Sequence, residues 1–64
     1  MGIRKRDLDD LACEVLSIHG LDIYAEHRPS GWCVCRRPAG SSGCSDMQAG
    51  LSIREAYFYL SALV

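Results

Sequence analysis

The sequence predicts an α+β domain of element order αββα, in which a two-stranded antiparallel hairpin packs against two helices. Three features indicate this fold: an apolar stripe at helical spacing near the start, two strand-like runs flanking a turn, and a second helical stripe at the end. The chain has 64 residues, so we expect one small domain over residues 1–64. A core of this size is marginal unless a disulfide, a metal ion or a partner chain supports it.

The first helix is predicted over about residues 4–19. Its apolar stripe, at i, i+3, i+4, i+7 and i+8, consists of Leu8, Leu11, Ala12, Val15 and Leu16. Gly20 follows the last helical residue, where a left-handed conformation is easily adopted by glycine. The stripe and this stop signal together predict an amphipathic helix that buries one side.

The hairpin is predicted over about residues 22–37, with Pro29, Ser30 and Gly31 as a three-residue loop. This loop would pair Arg28 with Trp32 and His27 with Cys33. Side chains alternate along strands, so one face would carry Ile23, Ala25, His27, Cys33, Cys35 and Arg37, and the other Tyr24, Glu26, Arg28, Trp32, Val34 and Arg36. A two-residue loop would regroup these sets, and the sequence leaves open which face is buried.

The segment 38–50, PAGSSGCSDMQAG, is rich in glycine and serine and has no apolar period, so we expect a flexible loop. The last helix is predicted over about residues 52–63, because Ser52 and Glu55 have the spacing of a capping box. Both helices should pack on one face of the hairpin, because a two-stranded sheet is not stable alone. The other face would then meet water or a partner.

Charge and targeting signals give little direction. The net charge is −1, which implies no global attraction to nucleic acid or to a membrane surface. No apolar run approaches the roughly 20 residues needed to span a bilayer, and the polar start does not resemble a signal peptide. We therefore expect a cytoplasmic protein with reduced cysteines.

The cysteines raise the question of a metal. Cys33 and Cys35 share one face of a strand, and His27 joins them in the predicted register. Cys13, His19 or Cys44 could supply a fourth zinc ligand. The C-x-C spacing differs from that of the usual zinc ribbons and fingers. We expect buried structural thiols and no cofactor, with zinc binding by Cys33, Cys35, His27 and Cys13 as the alternative.

Binding is the expected activity, because no local signature of a nucleophile or of a phosphate loop is present and the protein is predicted not to be an enzyme. Tyrosine, tryptophan and arginine are enriched in binding hot spots, and the residues predicted to bind a partner are Trp32, Arg28, Tyr24, Arg36 and Arg37. Alternatively, Trp32 and Val34 face the core and the cysteines lie outside. Phe58 and Tyr59 suggest a homodimer contact, and a nucleic-acid adaptor using the hairpin arginines is less favoured because cations are few.

Three stretches carry a family resemblance: SIHGLDI at the end of the first helix, EHRPSGWCVCRR across the hairpin, and GLSIREAYFYL at the last helix. Their layout resembles that of small accessory proteins encoded by phages and prophages. The resemblance implies a protein that acts by binding a host or phage protein complex, such as an anti-CRISPR or another inhibitor of host machinery.

Overall fold

The elements follow one another as α1 (Lys5–His19), β1 (Ile23–Arg28), β2 (Gly31–Arg36), β3 (Ser45–Leu51) and α2 (Ile53–Leu63). These bounds come from a computed structural model, which describes residues 2–38, 40 and 43–64. The prediction of an α+β fold with two helices and an antiparallel sheet is confirmed. The prediction of only two strands is wrong, because the sheet has three strands in the order β1-β2-β3.

The end of α1 and the start of α2 fall where local signals place them. Gly20 caps the end of α1: it has φ 71°, and its N–H donates to the Leu16 carbonyl at 2.9 Å. At the start of α2, Ser52 Oγ accepts from the Glu55 N–H at 3.1 Å, while Glu55 Oε1 accepts from the Ser52 N–H at 3.0 Å. This reciprocal pair is the predicted capping box, and the hydrogen bonds from Ser52 lower the pKa of the Glu55 carboxyl. In the described part of the chain, neither helix is long and apolar enough to cross a membrane.

The third strand replaces part of the segment predicted to be a flexible loop. β3 pairs antiparallel with β2, and its register shifts between the pairs Trp32–Leu51, Val34–Gln48 and Cys35–Asp46. Such irregularities interrupt the alternation of polar and apolar residues that identifies a strand in a sequence. β3 is also a mostly exposed edge strand, so it lacks an apolar run. Residues 39, 41 and 42 of the predicted loop lie outside the described residues.

The hairpin turn contains two residues rather than three. Arg28 pairs with Gly31 and His27 with Trp32, so the predicted pairing is wrong by one residue. Gly31 has φ 130°, and a Cβ built on it would lie 2.9 Å from the Leu51 carbonyl oxygen. The glycine is therefore needed because β3 passes close to the backbone at the start of β2, and not because a three-residue loop requires it.

Both helices pack on the same face of the sheet, and this layer forms the hydrophobic core. The buried members of the core come from all elements except β3 and are Leu8, Ala12, Val15, Ile23, Ala25, Val34, Ala56 and Leu60. Trp32 lies at the edge of this core, partly buried, with its ring stacked on His27 at 4.7 Å between centroids. The alternative in which Trp32 and Val34 face the core is therefore the one the structure adopts.

Candidate functional site

Neither helix covers the second face of the sheet, which we call the open face. Alternation along the strands and the observed register place on it the side chains of Tyr24, Glu26, Arg28, Cys33, Cys35, Arg37 and Asp46. The two-residue turn brings the cysteines to this face, since Cys33 lies opposite Glu26 and Cys35 opposite Tyr24. The open face thus combines thiols, carboxylates, arginines and one tyrosine.

Two thiols and a carboxylate meet at the centre of the open face. Cys33 Sγ and Cys35 Sγ are 3.5 Å apart, and Cys35 Sγ is 3.6 Å from Asp46 Oδ1. One ligand atom from each of these three residues lies within 4.8 Å of the other two. The cysteines are only 1% and 0% exposed, although they lie outside the hydrophobic core between the sheet and the helices. We call Cys33, Cys35 and Asp46 the thiol–carboxylate cluster.

Arg28 lies across the cluster. Its guanidinium donates to both carboxylate oxygens of Asp46, at 2.9 and 3.1 Å, to Glu26 Oε2 at 2.9 Å, and approaches Cys35 Sγ at 3.7 Å. The hydrogen bonds with Asp46 raise the pKa of Arg28 and lower the pKa of the Asp46 carboxyl. Asp46 is therefore ionised at neutral pH, and the two-pronged contact fixes its orientation.

Two groups of the open face, the Cys33 thiol and the Tyr24 hydroxyl, have raised pKa values. Burial, followed by the contact with Cys35, raises the pKa of the Cys33 thiol to about 12, so this thiol carries its proton at neutral pH. At the rim, the Tyr24 hydroxyl donates to Cys44 Sγ at 3.1 Å, and this bond raises the pKa of Tyr24. The Arg37 guanidinium lies 4.5 Å from the centre of the Tyr24 ring, a cation–π contact.

The structure assembles a different set of metal-ligating side chains from the one predicted. Cys33 and Cys35 do come together, but His27 points to the helix side, where it stacks on Trp32, and Cys13 is exposed on α1. Asp46, which the sequence analysis did not single out, takes the third position. In the sequence, Asp46 stands out only as an acidic residue two positions after Cys44 and just before Met47. That position suggests a ligand only once β3 is known to pair with β2.

The residues predicted to bind a partner are divided between two faces. Tyr24, Arg28 and Arg37 lie on the open face. Trp32 lies on the helix side, as does Arg36, which is exposed and pairs with the buried Ile23. The predicted face that united all of these except Arg37 is therefore wrong, because the turn is one residue shorter than expected.

The residues predicted for a dimer contact also differ from each other. Phe58 is 62% exposed on α2, whereas Tyr59 is partly buried against the core.

Comparison of the chain with family models, with curated proteins and with solved structures found no match.

Proposed function

We propose that this protein is a non-enzymatic binding module that attaches to another protein in a fixed ratio through the open face of its sheet. One observation carries the proposal: both helices pack on the opposite face, and the open face presents Tyr24, Arg28 and Arg37 within one patch above the buried thiols. Tyrosine and arginine are the residue types that most often anchor protein interfaces. The resemblance to small phage-encoded proteins supports a host or phage protein complex as the partner, and inhibition as the result of binding.

The charges of the patch favour a protein over a nucleic acid as the partner. Arg28 is paired with Glu26 and Asp46, and Arg37 Nε lies 3.5 Å from an Asp22 carboxylate oxygen. A surface that follows a phosphate backbone needs cations that are free to replace its counterions. Arginines held by carboxylates suit a partner surface of mixed charge, where each group can exchange one neighbour for another.

The test compares two charge reversals, Arg37→Glu on the open face and Arg54→Glu on the exposed side of α2. Immobilised protein is used to capture partners from a lysate of the source cell, and the affinity of a captured partner is then measured. Loss of a central interface anchor typically costs about 2 kcal/mol, which is roughly a 30-fold weaker Kd. We expect that loss for Arg37→Glu and an unchanged Kd for Arg54→Glu.

A third variant, Phe58→Ala, tests the competing helix surface. If this change abolishes capture while Arg37→Glu leaves it intact, the binding surface is on α2 and the proposal fails. Circular dichroism of all three variants checks that they retain the fold, since each altered side chain is exposed.

A further inference from the structure

The two thiols of the thiol–carboxylate cluster are buried but do not belong to the hydrophobic core between the sheet and the helices. The hydrophobic core on the helix side is complete without Cys33 and Cys35. If the cysteines only filled space beneath larger side chains, an apolar neighbour would serve better than a carboxylate. Instead, β3 places Asp46 directly opposite Cys35, with its oxygen aimed at the sulfur.

We propose that Cys33, Cys35 and Asp46 bind a thiophilic divalent cation of the zinc type. Two thiolates on a tetrahedral zinc ion, each with a Zn–S bond of about 2.3 Å, lie about 3.8 Å apart. The two sulfurs here are 3.5 Å apart. A thiolate and a carboxylate oxygen on the same ion lie about 3.5 Å apart, and the separation between Cys35 Sγ and Asp46 Oδ1 is 3.6 Å. Two of the three distances between the ligand atoms of Cys33, Cys35 and Asp46 therefore already match those expected around a tetrahedral ion.

The remaining separation closes with a small movement. Cys33 Sγ and the Asp46 oxygen lie no more than 4.8 Å apart, so a shift of about 1 Å brings them to the spacing of a shared ion. Asp46 is half exposed on an edge strand, with side-chain exposure of 49%, and its carboxylate can turn without disturbing the core once Arg28 releases one of its oxygens. The fourth position is left for water or for Cys44, which lies two residues before Asp46.

The net charge of the site does not change when the ion is bound. Two thiolates and the carboxylates of Asp46 and Glu26 carry four negative charges, the ion and the guanidinium of Arg28 carry three positive charges, and the metal-free site with two protonated thiols has the same net charge of −1. Binding exchanges the two thiol protons for the ion, and the protons leave to the solvent. Arg28 reaches Asp46 from the solvent side, so a swing of this side chain, which is 34% exposed, opens the way to the sulfurs.

The site does not depend on the proposed protein partner, and its test needs only the purified chain. Reduced, metal-free protein is titrated with Zn²⁺ and, for a visible signal, with Co²⁺ under anaerobic conditions. We expect one ion per chain, a thiolate-to-cobalt charge-transfer band, and a Tm that rises with Zn²⁺ because the ion binds the native state.

Matched variants separate the site from the chain's other thiols. We expect Cys33→Ser and Cys35→Ser to weaken binding by roughly 100-fold or more, and Asp46→Asn by roughly tenfold. Cys13→Ser removes an exposed thiol far from the cluster and should leave binding unchanged. Glu26→Gln removes the other carboxylate that holds Arg28, without touching a thiol, and should also leave binding unchanged.

Two results would overturn the proposal. One is substoichiometric or equal metal uptake by the wild type, Cys35→Ser and Cys13→Ser, which would mean adventitious binding to exposed thiols. The other is a native Cys33–Cys35 disulfide whose reduced form has no affinity for Zn²⁺ or Co²⁺. If a cysteine variant does not fold, the Tm of the wild type still tests the proposal. A Tm that does not rise with Zn²⁺ would contradict binding of the ion by the native state.

Discussion

Replacing Gly31 by alanine tests the closest backbone contact between the hairpin and the third strand. Gly31 has φ 130°, and its Cβ would lie 2.9 Å from Leu51 O and 3.3 Å from Gly50 C. The backbone conformation alone costs an L-residue about 1–2 kcal/mol. Forcing a methyl group against backbone atoms that belong to a paired strand adds about 1–3 kcal/mol. We expect Gly31→Ala to lower the free energy of unfolding by about 2–5 kcal/mol.

Two other glycines are controls for a positive φ without a close neighbour, and their φ values lie in the left-handed region, below the 130° of Gly31. Gly20 has φ 71° and Gly50 has φ 68°, and a Cβ on either meets nothing within 4 Å. Each should therefore lose only about 1–2 kcal/mol on replacement by alanine. A domain of this length has about 3–10 kcal/mol of stability in total, so Gly31→Ala removes a substantial share of it.

Urea unfolding followed by the fluorescence of Trp32, the single tryptophan, measures all three variants. The quantity that matters is the difference between Gly31→Ala and the mean of the two controls, expected at about 1–3 kcal/mol. A difference within about 0.5 kcal/mol of zero would show that β3 does not approach the start of β2, and the three-stranded sheet would have to be abandoned.

Two further predictions concern the second helix and the acid stability. Ser52→Ala removes the cap of α2 and should lower the free energy of unfolding by about 1 kcal/mol. Ser61, which is exposed within the same helix, provides the control, and Ser61→Ala should change the free energy of unfolding by less than about 0.5 kcal/mol. Equal losses for the two variants in chemical denaturation would contradict the capping role. Arg28 lowers the folded-state pKa of Asp46 below its unfolded value, so this carboxylate stabilises the fold above the unfolded pKa of about 3.9 and ceases to do so as the pH falls through the folded value. Asp46→Asn should therefore flatten the fall in Tm between neutral pH and strong acid, and a profile parallel to the wild type would contradict the pairing.

The helices could be predicted from the sequence because their signals are local. The apolar stripe of α1, its stop at Gly20 and the capping box at Ser52 each act within a few residues along the chain. β3 has no such signal. Its hydrogen bonds come from β2, its register is irregular, and most of its side chains are exposed. Its stability therefore depends on the pairing with β2, which no local sequence pattern indicates.

The candidate site was predicted only in part for a related reason. The composition of each face depends on the turn length, and one residue fewer in the turn moved Cys33 and Cys35 away from His27 and towards Tyr24 and Arg28. Sequence patterns favour a glycine as a loop residue, but the position of Gly31 is determined by the approach of β3. Asp46 could not be assigned to the cluster until that strand was known.

Among the described residues, neither helix covers the second face of the sheet. Long side chains from the strands lie over that face instead: Arg28, which is held by Glu26 and Asp46, lies over two small thiols that are almost fully buried. A protein partner would contact the outer side chains, whereas a metal ion would bind the thiols beneath them. The two proposals can therefore be separated by variants that change either an exposed side chain or a buried thiol, but not both. Cys35→Ser changes a buried atom and should weaken metal binding strongly while partner capture persists, whereas Arg37→Glu changes the outer surface and should weaken partner capture while metal binding persists.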